Sequence, residues 1–351
     1  MNIYKNSRRN FLAKSIYSAA IIATGTLTKA HGASGEIQSA TIAEQAKSLT
    51  ESSAENEDGV KIIEAENKIT VNINGKLFTE YCYKDAKRPY FYPVIGPSGV
   101  NVTRNWPMKN GENEEQDHPH QRSLWYAHGS INGVDFWTDG DRNGNTVHDK
   151  FLKLESGKDV GIIQSQNKLV ASDGTLVCTD TRTHRFYNLP DVKMIDFEVT
   201  FHASEGQVMF GDTKEGSMAL RLAPTMRLTG PVAQGHIINS EGIKDNDTWG
   251  KRAAWCDYYG PVQGEVVGVA IFDNPKNPRY PTWWHVRYYG LFAANPFGIS
   301  DFEKKPRGTG NMTIPAGQSV TFKYRIYIHK GNQEQGKVAE RYKEYVESNS
   351  Q

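Results

Sequence analysis

Cysteine is scarce in this chain. Its three residues, Cys82, Cys178 and Cys256, are an odd number without metal-ligand spacing. Each stands among aromatic or β-branched neighbours, so buried thiols are expected and no zinc cluster is built from them. If two do pair, the spacing does not say which. Net charge is missing as well: 41 Lys and Arg against 40 Asp and Glu leave +1 in 351 residues. That balance gives no electrostatic footprint for nucleic acid or for an anionic membrane. No apolar run of about 20 residues follows the N-terminal segment, so no membrane span is expected in the mature chain. Helix-period patterns are sparse, and neither an internal repeat nor a linker interrupts the region after Gly59.

What is present begins with an export pattern. Ser7-Arg8-Arg9-Asn10-Phe11-Leu12-Ala13-Lys14 precedes an apolar run from Ile16 to about Leu27, with small residues near Ala30 to Ala33. Paired arginines before Phe-Leu are the twin-arginine pattern of chains exported already folded, with a Sec-type signal as the alternative. Residues 1–33 are therefore expected to be a signal peptide and the protein periplasmic or otherwise exported. Residues 34–58, rich in Ala, Ser, Glu, Gln and Thr, read as a disordered linker. Residues 59–351 read as a single domain.

Short β-rich segments punctuated by Gly, Pro and Asn fill that domain. In Lys193–Ala203, Ile195, Phe197, Val199 and Phe201 alternate with Asp196, Glu198, Thr200 and His202, giving one dry and one wet face. Ser319–His329 repeats the pattern with Val320, Phe322, Tyr324, Ile326 and Ile328. Only about Glu334–Glu347 reads as helix, on a partial stripe of Val338, Tyr342 and Tyr345. The expected class is all-β: one large antiparallel β-sandwich with a C-terminal helix.

Four clusters carry candidate chemistry. In the stretch from Asp117 to Trp137, His118 and His120 point to one side if the segment is extended. Arg122 supplies a fork for a carboxylate, phosphate or vicinal hydroxyls. His128 with Asp135 would form an imidazole–carboxylate pair. Trp125 and Trp137 are candidate platforms for sugar rings, though core packing also accounts for them. In the second cluster, Asp212 and Glu215 lie three apart in a Gly-bounded loop, suited to acid–base work, to a hard cation, or merely to a solvated turn. The third contains Trp255. The fourth places Trp283, His285 and Arg287 on one strand face. No cofactor is required by these residues; a divalent metal stays open, its ligands unknown.

At these motifs the chain resembles a bacterial family labelled methane oxygenase PmoA-like. The matching residues are His118-Pro119-His120 through Trp137, Gly211 to Gly216, Trp249-Gly250 with Trp255 to Tyr258, and Phe272 to Pro275 with the Trp283 to Gly298 block. The resemblance covers roughly Gly59 to Lys330. Ser123 stands where a glycine is expected after the arginine. A membrane oxygenase subunit needs several apolar spans, which this chain lacks, so the resemblance implies a secreted β-sandwich, similar to the galactose-mutarotase-like supersandwiches of aldose epimerases and some polysaccharide lyases.

The expected function is carbohydrate processing by a hydrolase, lyase or epimerase, with His118, His120, His128, Asp212, Glu215 and His285 as acid, base or metal ligands. Arg122, Trp125, Asp135, Trp137, Trp255, Trp283 and Arg287 would contact a small-molecule or glycan substrate. The alternatives are a non-catalytic glycan-binding protein and a metal-dependent oxidoreductase. Oligomeric state is not legible.

Overall fold

The computed structural model describes residues 58–348. The expected signal, and the expected linker up to residue 57, lie outside the described residues. Two eight-stranded antiparallel sheets form the body. The first joins β1 (Val60–Glu64), β2 (Lys68–Ile73), β3 (Lys76–Cys82), β4 (Tyr90–Val94), β5 (Leu124–His128), β11 (Gly216–Arg221), β16 (Leu291–Asn295) and β15 (Trp283–Val286), in that spatial order. The second joins β12 (His236–Asn239), β13 (Trp255–Val262), β14 (Glu265–Asp273), β18 (Ser319–Lys330), β9 (Lys193–His202), β8 (Leu176–Tyr187), β7 (Val160–Val170) and β6 (Asn145–Glu155). A small ribbon pairs β10 (Val208–Phe210) with β17 (Met312–Ile314). A single helical turn, α1 (Ile299–Phe302), and a C-terminal helix, α2 (Val338–Ser348), complete it. The expected all-β antiparallel sandwich with a C-terminal helix is the architecture found. Among the described residues, no helix is long and apolar enough to cross a membrane.

The alternation read in the sequence places the core. Ile195, Phe197, Val199 and Phe201 are buried between the sheets, as are Phe322, Tyr324, Ile326 and Ile328. Across the interface Tyr126 of β5 meets Phe197 at 6.2 Å and Phe201 at 5.7 Å. Each such side chain contributes about 1.5–3 kcal/mol by leaving water. The polar face of β18 departs from the expectation, because Tyr327 and His329 are buried too. The C-terminal segment covers them: Val338 and Tyr345 pack with Tyr327, whose hydroxyl donates to the Gly336 carbonyl at 2.9 Å. β18 thus has two dry faces at its end.

The core also holds charge. On β8, Arg182 donates through Nε and Nη2 to Asp180 Oδ2 at 3.0 and 2.8 Å, and Asn167 Nδ2 donates to Asp180 Oδ1 at 2.6 Å. Both charged side chains are essentially dry. Asp180→Ala would strand the guanidinium, and such losses cost about 3–5 kcal/mol. Urea unfolding is expected to show that loss, with much of it recovered in the double variant Asp180→Leu/Arg182→Leu. Equal stability of Asp180→Ala and wild type would show that Arg182 finds other partners.

Candidate functional site

The first sheet is covered on both sides. On β5, Leu124 and Tyr126 face the inter-sheet core, while Trp125 and Ala127 face outward. Register carries that outward face across the sheet, Tyr90 beside Trp125, then Ala219, Ala293 and His285. The alanines leave room for a second small cluster, in which Trp125 packs against Trp137 at 5.1 Å, the rings tilted by 44°. Residues 117–122, just before β5, and the turn from Arg287 to Gly290 between β15 and β16 then frame this face.

At its centre is an oriented imidazole. His118 Nδ1 lies 2.7 Å from Asp117 Oδ2. The other carboxylate oxygen accepts from Arg104 Nη1 at 2.5 Å and from Arg221 Nη2 at 3.0 Å. Burial pushes the Asp117 carboxyl up, but the His118 ring and the two guanidiniums outweigh it and hold the group well below the usual carboxylate range. A carboxylate so held fixes His118 as the Nδ1–H tautomer. Nε2 has no protein partner among the described residues, and the side chain is 43% exposed. The His118 ring is stacked on Tyr289 at 5.5 Å and 8°. Arg221 lies over the same tyrosine at 4.5 Å, and its guanidinium also donates to Gln121 Oε1. Burial beside Arg104 pulls Arg221 down to about 10, so it stays charged at neutral pH. Such a group can take and return a proton beside a fixed cation.

The segment is a turn and not the extended His-X-His of the sequence reading. His118 has φ +45° and its carbonyl accepts from Gln121 N at 2.9 Å. The rings still converge, His118 and His120 lying 5.6 Å apart between centroids. Burial, with Arg88 and His118 adding to it, pushes His120 down to about 4, so its imidazole is neutral. Ser123 has φ +52°, which explains why a glycine suits this position.

Other expected members lie elsewhere or are already engaged. His128 is on the core-facing side of β5, its Nε2 2.8 Å from the Gly211 carbonyl and its ring 4.5 Å from Phe297. It therefore forms no pair with Asp135, whose carboxylate instead accepts from the Trp137 and Thr138 amides at 2.7 and 3.1 Å and so fixes the loop bearing Trp137. Asp212 caps α1 and its neighbour, accepting from Ser300 N at 3.0 Å and Gly310 N at 2.9 Å. A Cβ at Gly310 would lie 2.7 Å from that carboxylate. Glu215 is on the outward face but pairs with Lys214. Arg122 pairs with Asp139 at 3.3 Å. Trp125, Trp137 and Trp283 are buried, so none offers an open ring face, and Trp283 donates to Glu303 at 3.0 Å beneath Arg252. Trp255 belongs to the other sheet, packed under α2. His285 is on the outward face, 3% exposed and pushed down to about 3 by burial, with Lys214 and Arg287 adding to it. Among the described residues, no group of three or more His, Cys, Asp or Glu is placed to hold a metal ion. A cleft of about 550 Å³ elsewhere, between Ile73, Leu77, Pro97 and Pro190, offers only Lys76 and Lys193 as charged groups.

The residues missing from the sequence-derived site are Asp117, Arg104, Gln121, Arg221 and Tyr289. Strand parity could have found one of them. Arg221, at the end of β11, lies an even number of residues past Glu215 and so falls on its face, whereas Tyr289 stands in the turn after β15, where parity lapses. Arg104 left no signal, being joined to Asp117 only through folding.

The molecule is thus an antiparallel β-sandwich with a carboxylate–histidine pair on the outward face of one sheet. The chain belongs to a family of unknown function, DUF6807, whose model matches residues 68–343. No curated protein sequence matches it. Among solved structures it is similar to the α-galactosidase from Lactobacillus brevis (11% identity, 79% of this chain and 40% of that one, TM-score 0.38). It is similar to the GH36 α-galactosidase from Geobacillus stearothermophilus (11%, 78% and 40%, TM-score 0.35). It is also similar to a galactose mutarotase-like protein from Lactobacillus casei (8%, 77% and 100%, TM-score 0.33). The chain covers well under half of either α-galactosidase.

Proposed function

We propose that the protein is an exported carbohydrate-processing enzyme, a hydrolase, lyase or epimerase, in which His118 carries the proton. The observation behind this is the 2.7 Å contact of Asp117 with His118, with Asp117 itself anchored by two arginines. A carboxylate held from behind in this way makes Nε2 a competent base and the imidazolium a competent acid. His120, neutral and adjacent, is the second proton carrier of the reading. Tyr289, the part-exposed ring on which His118 stacks, would meet the substrate, since sugars present polar edges and apolar ring faces together, while buried Arg221 holds Asp117 from behind. The resemblance drawn from the sequence motifs points to the same sugar chemistry, and the twin-arginine segment to export.

Proton NMR of the purified protein with free aldoses, glycosides and uronate oligosaccharides tests the reading. Hydrolysis creates a new reducing end, elimination a vinylic proton, and epimerisation a faster approach to anomeric equilibrium. A protein that produces none of the three across such a panel is not this enzyme.

A further inference from the structure

The arginines around the outward face are nearly all committed. Arg88 and Arg122 pair with Asp139, Arg104 and Arg221 share Asp117, and Arg227 pairs with Glu115. Arg287 is different. Its guanidinium has no carboxylate or carbonyl partner among the described residues. Three rings surround it instead, Trp249 and Tyr288 at 5.7 Å and Tyr289 at 5.9 Å. Aromatic faces hold a guanidinium without using its in-plane N–H donors, so the fork is oriented and left free. A second polar group beside it, hydrogen-bonded to the Lys214 backbone, has one ring nitrogen unused. His285, two residues earlier on the same face and 3% exposed, has no partner at Nδ1. Lys214, the nearby ammonium, is neutralised by Glu215.

One uncommitted, planar, singly charged fork fits one planar monoanion better than a phosphate dianion. Tyr289 forms a wall common to Arg287 and to His118, whose ring lies 5.5 Å from it. A carboxylate on Arg287 would set the ring that bears it beside Tyr289, the ring on which His118 stacks. We infer that the site takes an acidic sugar, a uronate residue, with its carboxylate on Arg287 and its ring directed to the Asp117–His118 pair. This substrate class rests on the acid–base reading of the same face.

Isothermal titration of the full chain with galacturonate and glucuronate, against galactose, glucose and galactose 6-phosphate, tests it. The uronates are expected to bind at least about tenfold tighter than their neutral counterparts. Arg287→Gln should erase that ratio while neutral-sugar binding persists, and Arg287→Lys should keep part of it. Equal binding of neutral sugars, tighter binding of the phosphate, no uronate binding, or a ratio that survives Arg287→Gln overturns the inference. The two readings fail separately. A uronate preference with turnover untouched by His118→Gln sinks the acid–base reading alone, whereas His118-dependent turnover of neutral sugars sinks the uronate assignment alone.

Discussion

Replacing His118 by glutamine is expected to lower kcat/KM by about 10²–10⁴-fold, the usual worth of a positioned proton-transfer group. Folding should barely change, because the side chain is 43% exposed and makes one polar contact, with Asp117. Glutamine retains an amide donor for that carboxylate but cannot cycle a proton. Asp117→Asn makes the complementary case. The imidazole keeps a neighbour yet loses the carboxylate that orients it, so activity should fall. Asp117→Asn also removes the counter-charge of buried Arg104 and Arg221, so a lower Tm is expected there and not in His118→Gln. Full activity in His118→Gln with a normal Tm would remove the proposed chemistry.

Acid is expected to destabilise the protein steeply between about pH 6.5 and pH 4. His120 and His128 are each pushed down to about 4, and His285 to about 3, in all three first by burial. His184, buried near Arg182, is depressed well below its ordinary value. A histidine whose folded pKa is depressed binds its proton first in the unfolded chain. The stability it contributes is complete above the unfolded pKa of about 6.5 and is lost as pH falls toward the folded value. One buried group opposes this. Burial pushes Asp273 up to about 7, so its proton favours the folded state below that pH. His329, raised because Asp257 outweighs the burial that would lower it, favours the folded state once protonated and so does not add to the loss in acid. With these four histidines, and half-buried His148 lowered by burial as well, against one carboxyl, unfolding takes up about three protons near pH 5.5, a slope of about 4 kcal/mol per pH unit. Urea midpoints at pH 7, 6 and 5 should fall in step, and a flat series would show that these imidazoles are hydrated in the folded state.

The sandwich was legible because its strands obey period two. Lys193–His202 and Ser319–Lys330 announce their dry faces in the order of their side chains. β5 and β16 were not legible, because every residue of Leu124–His128 and Leu291–Asn295 is buried and a strand dry on both faces has no alternation. β6, with its run of charged residues along an edge, gave too little apolar signal to mark it.

The sequence by itself determined the fold class, and it offered the Asp117 to Trp137 stretch and the Trp283, His285 and Arg287 face as candidates. Side-chain periodicity is local, and so is the density of chemistry-bearing residues. Tertiary structure alone decided which of those residues meet. It turned His128 into the core by parity, tied Asp212 to the Ser300 and Gly310 amides, and brought Arg104, Arg221 and Tyr289 around Asp117 and His118. Those contacts reach as far along the chain as from His118 to Tyr289. Only sheet pairing and the framing loops bring such distant residues together.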